Sequence, residues 1–177
     1  MSLHSIDRLD VKMSNYDMDR LMVFCLLDRA QQYEKVCKTF DYLDNMNLTT
    51  RQGLKSVPLN ELQYHLRRIG YRFPNQTAIY LKEFSCNDIN LKVCTREELV
   101  KKVKGIGYKL ASMFLRNTRG KDYAVLDVHI KRWLKNKGYK FRNYIEAEGI
   151  FRKLAKDMNM SIYDLDMKIW QENRRGK

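Results

Sequence analysis

The chain has 177 residues, and its 34 Lys and Arg against 21 Asp and Glu give a formal net charge of +13. An apolar share of 44% and a mean hydropathy of -0.59 predict one substantial core under a charged surface, read as a single domain over 1–177. Dominant disorder is thereby excluded, and the positive excess favours a polyanionic partner, either nucleic acid or an acidic membrane surface. Membrane insertion is excluded as well, because the longest apolar stretch, around Leu21 to Leu27, is far short of the roughly 20 residues a crossing needs. Met1-Ser2-Leu3-His4 opens no export signal, so a cytoplasmic location is expected.

The four cysteines, Cys25, Cys37, Cys86 and Cys94, form no Cys-x-x-Cys pair. No metal or cofactor is expected from them; they read as reduced thiols, three or four of them serving as small core hydrophobes. Two prolines and eight glycines are too few for the turns of an all-β fold, so the predicted class is all-α without a substantial sheet.

In chain order, Met18, Leu21, Met22, Cys25 and Leu26 carry the spacing of a buried helical face from about Asp17. Leu59, Leu62, Leu66 and Ile69 repeat it and stop at Gly70. A further helix starts at Pro74-Asn75 or Thr77 and carries Ala78, Ile79, Leu81 and Phe84. Thr95-Arg96-Glu97-Glu98 has the form of a capping box, predicting a short helix with Leu99, Val100 and Val103 on its apolar face. Gly105-Ile106-Gly107 ends that helix, and another begins near Tyr108 with Ala111, Phe114 and Leu115 inward. Ile145, Ile150, Phe151, Leu154, Ala155 and Met158 mark one later helix, and Ser161-x-x-Asp164 opens the last, with Ile162, Leu165 and Ile169. Core packing accounts for these stripes without any further function.

The hairpin of about 96–118 carries more information. Glycines at both ends of its turn allow backbone amides at the start of the second helix to approach a phosphate closely. Lys101, Lys102 and Lys104 precede the turn, and Lys109 and Arg116 follow it, so charge is gathered on the same unit. Any helical hairpin can turn through glycine, however, and Lys109 is one of 34 basic residues. Asp127, placed between Ala124-Val125-Leu126 and Val128-His129-Ile130, sits where a helix N-cap is expected.

Gly105-Ile106-Gly107-Tyr108-Lys109, followed at a distance by Leu126-Asp127-Val128-His129, resembles the helix-hairpin-helix DNA glycosylase superfamily, and within it the short prokaryotic 8-oxoguanine DNA glycosylase/AP lyase family. Phe24 to Leu27, Gly70 to Asn75 with Ala78 and Tyr80, and Leu165 to Trp170 are similar to further stretches of that family. The resemblance implies two helical lobes with a DNA crevice between them, a monomer acting on double-stranded DNA that contains a damaged base, and no added N-terminal β domain. It implies Lys109 as the Schiff-base nucleophile and Asp127 as the carboxylate that stabilises positive charge developing on the sugar. Lys104, Gly105, Ile106, Gly107 and His129 fall at its DNA-binding positions, although His129 reads equally well as a structural histidine. Burial and the cationic neighbours Lys101, Lys102 and Lys104 are expected to favour the neutral Lys109 amine.

An enzyme acting on a duplex base must flip it out, stack against it and fill the gap. By family position Trp170 is the stacking platform and the Lys177 carboxylate a base contact, while Gln31, Gln32 and Tyr33 occupy the region inserted into the duplex. The segments Gln31 to Tyr33 and Gln171 to Lys177 depart from the family's usual residues. Two other readings stand beside this one: the same fold acting on another damaged or mismatched base, and a helix-hairpin-helix module that binds DNA without chemistry. Endonuclease-III-like relatives often carry a C-terminal four-cysteine cluster, whereas no cysteine follows Cys94.

Overall fold

The structure, a computed structural model, describes residues 13–175. Among them are ten helices and no strand: α1 (Asn15–Leu27), α2 (Tyr33–Asp44), α3 (Arg51–Ser56), α4 (Leu59–Arg68), α5 (Pro74–Ser85), α6 (Arg96–Lys102), α7 (Tyr108–Arg119), α8 (Val128–Asn136), α9 (Tyr144–Asp157) and α10 (Ile162–Arg175). None is long and apolar enough to cross a membrane.

Two apolar clusters organise the helices. The first draws buried residues from Met13 to Leu115, the second from Ala124 to Ile169. At the centre of the first is α1, in which every residue from Leu21 to Leu27 is buried. A helix apolar on all sides can lose that much surface only by being wrapped, and α2, α5 and α7 pack around it. The second cluster is a smaller packing of α8, α9 and α10, with Ile130, Leu134, Phe151 and Leu165 in its interior.

Local chemistry sets the helix ends. The Thr95 hydroxyl accepts the Glu98 N–H at 3.1 Å and the Glu98 carboxylate accepts the Thr95 N–H at 2.8 Å, so the predicted capping box is present. Ser161 accepts the Asp164 N–H at 3.0 Å ahead of α10. Gly70, at φ 68°, follows α4 in the left-handed conformation that glycine adopts without strain.

Several expectations need correction. Helices α2 and α3 were not among the predicted elements. Leu59, Ile145 and Met158 are exposed at 39%, 46% and 43%, because the apolar stripes of α4 and α9 run past the packed turns to the helix ends. Of the cysteines only Cys25 and Cys94 are buried, while Cys37 is intermediate and Cys86 exposed. Cys25 and Cys94 are therefore core residues and Cys37 packs partly buried against the first cluster, which leaves Cys86 outside it.

Candidate active site

Helices α6 and α7 form the predicted hairpin. Its first turn glycine is required twice over: Gly105 sits at φ 90°, and a Cβ there would lie 2.7 Å from the Tyr80 ring and 3.2 Å from Leu26. Gly107 differs. It caps α7 at φ -102°, which any residue adopts, and a Cβ would meet nothing within 4 Å. The glycine at the second position therefore answers to no internal contact; it leaves open the face on which the first α7 amides, which have no acceptor within their own helix, can receive an anion. Ile106 between them is buried and anchors the turn through its N–H to the Val103 carbonyl, 3.1 Å. Lys104 is 69% exposed and pairs with Glu83 at 2.6 Å.

Lys109 and Arg116 are seven residues apart and share one face of α7. Each meets a carboxylate from elsewhere. The Lys109 ammonium donates to Asp28, the residue that caps the C-terminus of α1, and the Arg116 guanidinium donates to Asp166 on α10. The three lysines before the turn are thus not what governs Lys109: Lys101 and Lys102 are exposed, Lys104 is engaged with Glu83, and the partner is an anion.

Asp127 is the N-cap of α8, as its position predicts. Its Oδ1 accepts the N–H groups of His129 at 2.8 Å and Ile130 at 2.9 Å, so Oδ2 lies outside the cap. His129 orients Asp127 through its backbone amide. The approach to Asp127 is held by Tyr144, whose hydroxyl donates to the Ala124 carbonyl at 2.6 Å and accepts the Leu126 N–H at 3.2 Å. Burial raises the Tyr144 pKa, keeping that hydroxyl a donor, and its ring stacks on Tyr108 at 5.8 Å. One aromatic pair thereby links the start of α7 to the segment that presents Asp127.

Asp166 ties the site together. It is 6% exposed, and burial is the largest cause of a raised pKa; Arg116 opposes the shift, Asp127 adds to it and Lys109 opposes it. Lys109 from the first cluster and Asp127 from the second therefore act on the same carboxylate. Trp170 follows Asp166 by one helical turn on α10 and is half-buried. Gln31 and Gln32 lie between α1 and α2, just past Asp28, and Tyr33 is the first residue of α2; Gln32 and Tyr33 are exposed, and the Tyr33 ring meets Phe24 edge-on at 6.2 Å. Lys177 lies outside the described residues. Among those residues, no three His, Cys, Asp or Glu side chains gather into a metal-binding group.

Sequence reasoning missed Asp28, the charge-bearing role of Asp166 and the tether through Tyr144. The signal for Asp28 was faint, a carboxylate directly after an apolar run that ends at Leu27.

Comparison with known proteins bears on this arrangement. A family model described as 8-oxoguanine DNA glycosylase matches residues 3–160. An 8-oxoguanine DNA glycosylase/AP lyase of Picrophilus torridus is 34% identical over 176 residues, covering 90% of this chain and 80% of the relative. The enzyme of that name from Methanocaldococcus jannaschii is 38% identical over 135 residues, 67% of this chain and 65% of the relative, so that match spans just under two thirds of the relative's length. The crystal structure of the Methanocaldococcus jannaschii 8-oxoguanine glycosylase/lyase in complex with 15mer DNA containing 8-oxoguanine superimposes with a TM-score of 0.74 at 30% identity, covering 93% of this chain and 83% of that one. The helical fold, the hairpin and these matches agree: the chain belongs to the 8-oxoguanine DNA glycosylase family of helix-hairpin-helix proteins.

Proposed function

We propose that this chain is a bifunctional DNA glycosylase/AP lyase that excises 8-oxoguanine from duplex DNA through Lys109 and then cleaves the strand. The observation that carries the reading is Lys109 on the first turn of the hairpin's second helix together with Asp127 fixed as the cap of α8, in a chain whose residues 3–160 match the 8-oxoguanine DNA glycosylase family. As the bond to the base lengthens, the sugar gains oxocarbenium character, which the Asp127 carboxylate stabilises from its fixed cap position. The Lys109 amine forms a bond to C1′ while the bond to the base breaks; the C1′–O4′ bond of that aminal then opens, with O4′ taking the electron pair and a proton given up by Nζ, and the resulting Schiff base acidifies the C2′ proton, so that β-elimination releases the 3′ phosphate.

The hairpin amides at Gly107 with Lys104 are proposed to hold a backbone phosphate, Trp170 to stack on the extruded base, and the Gln31 to Tyr33 segment at the start of α2 to enter the duplex. The enzyme is proposed to work as a monomer on cytoplasmic DNA. A DNA-binding module without chemistry would leave the Lys109 and Asp127 arrangement without a use. Excision assays on a panel of duplexes test the reading: 8-oxoguanine opposite each normal base, an oxidised pyrimidine, a thymine mismatch and undamaged DNA. The 8-oxoguanine duplexes should be cut fastest. Preferential cutting of a pyrimidine lesion would keep the fold and overturn the substrate.

A further inference from the structure

We propose that Asp28 takes the proton from Lys109 as its amine attacks and hands that proton to the departing base. The inference rests on the glycosylase reading, because it needs Lys109 as nucleophile. Three observations support it. Asp28 is the carboxylate in direct contact with the Lys109 ammonium, across 81 residues of sequence. Its backbone is fixed, since its N–H donates to the Phe24 and Cys25 carbonyls and so closes α1. Both residues belong to the first packing cluster through α1 and α7, so their pairing does not depend on where the second cluster stands.

An ammonium has no lone pair to give. The Lys109 ammonium donates to the Asp28 carboxylate at the C-terminal end of α1. A resting site so built needs an acceptor within reach, and Asp28 already holds the hydrogen bond. Asp127 is differently committed, with Oδ1 taken by two amides of α8. The step balances without an outside reagent. The ammonium proton moves to Asp28, the freed pair forms the bond from Nζ to C1′, and the glycosidic pair leaves with the base, which then takes the proton back from Asp28. Side-chain exposures of 18% for Asp28 and 30% for Lys109 restrict solvent as a rival acceptor.

The groups that share this field are Cys25 on α1, Cys37 on α2, Tyr71 ahead of α5 together with Arg29, and Asp166 on α10 with its partner Arg116. Burial raises the Cys25, Cys37 and Tyr71 pKa values, which keeps those three neutral and removes them as proton acceptors near neutrality.

Single-turnover borohydride trapping on a duplex with a preformed abasic site, and on one with 8-oxoguanine, tests the role from mildly acid to alkaline pH. Asp28→Asn is expected to slow trapping about 100-fold near neutrality and to leave duplex affinity unchanged. The deficit should narrow as pH rises and hydroxide replaces the missing acceptor, and Asp28→Glu should recover most of the rate. Thermal melting of both variants checks that the fold is kept. Trapping by Asp28→Asn at the native rate overturns the proposal, as does a loss that is equal at every pH and not relieved by Glu. Absence of any adduct with the native protein on the abasic duplex would instead remove the lyase reading itself, and this proposal with it.

Discussion

Arg96 on α6 and Glu148 on α9 meet across the seam between the two packing clusters, Nη1 to Oε2 at 2.7 Å, with side-chain exposures of 8% and 7%. Burial alone would lower the Arg96 pKa, but the contact with Glu148 outweighs it and the net shift is upward. Arg96 also lies against the rings of Tyr108 at 5.2 Å and Tyr123 at 4.1 Å, while Glu148 Oε1 accepts the Ala124 N–H at 3.2 Å. The pair thus joins the hairpin to the segment leading to Asp127. Glu148→Gln keeps the shape and leaves the buried guanidinium only the longer contact to Glu97, Nε to Oε1 at 3.6 Å, and should cost about 3 kcal/mol, read from urea unfolding. A change near zero would mean that water or another anion satisfies Arg96.

The two hairpin glycines should separate folding from binding. Gly105→Ala forces a Cβ into a left-handed backbone and against Tyr80, and should destabilise by about 2 kcal/mol. Gly107→Ala meets no internal atom and should leave the unfolding midpoint unchanged while weakening duplex binding several-fold. Equal binding by Gly107→Ala and the native chain would remove the phosphate from that face.

Asp127 has two roles that one substitution can part. Asn caps a helix about as well as Asp, so Asp127→Asn should change stability by less than about 1 kcal/mol. The sugar's developing charge, however, loses its counter-charge, and base excision should fall about 100-fold with duplex affinity kept. Unchanged excision would reduce Asp127 to a cap.

Charge should govern affinity more than choice. Duplex binding is expected to fall linearly with salt on a log–log plot, and Lys104→Gln should lower the slope by about 1. Because Glu83 holds Lys104 in the free protein, Glu83→Gln should strengthen binding to undamaged DNA. Titrations at several salt concentrations measure both effects.

What could be read from the sequence was what is local in it. The Thr95 capping box, the Gly105 turn and the Asp127 cap each depend on residues within a few positions, and all three are present as expected. The all-α class followed from the same kind of signal. Partners set by tertiary packing left no such trace: Asp28 reaches Lys109 across 81 residues, Asp166 reaches Arg116 across 50 and Glu148 reaches Arg96 across 52. The positive neighbours of Lys109 in sequence pointed to a cationic setting, and the fold supplied an anion in its place. Ile145 and Met158 erred for a related reason, since periodicity locates a face and not how far along it the packing extends.

The central claim is that the Lys109 amine is the nucleophile, and borohydride trapping on an 8-oxoguanine duplex tests it most directly. The native protein should form a covalent adduct with DNA, and Lys109→Gln should form none while still binding the duplex. An adduct of undiminished yield with Lys109→Gln, or none with the native protein on either 8-oxoguanine or abasic DNA, would contradict the account.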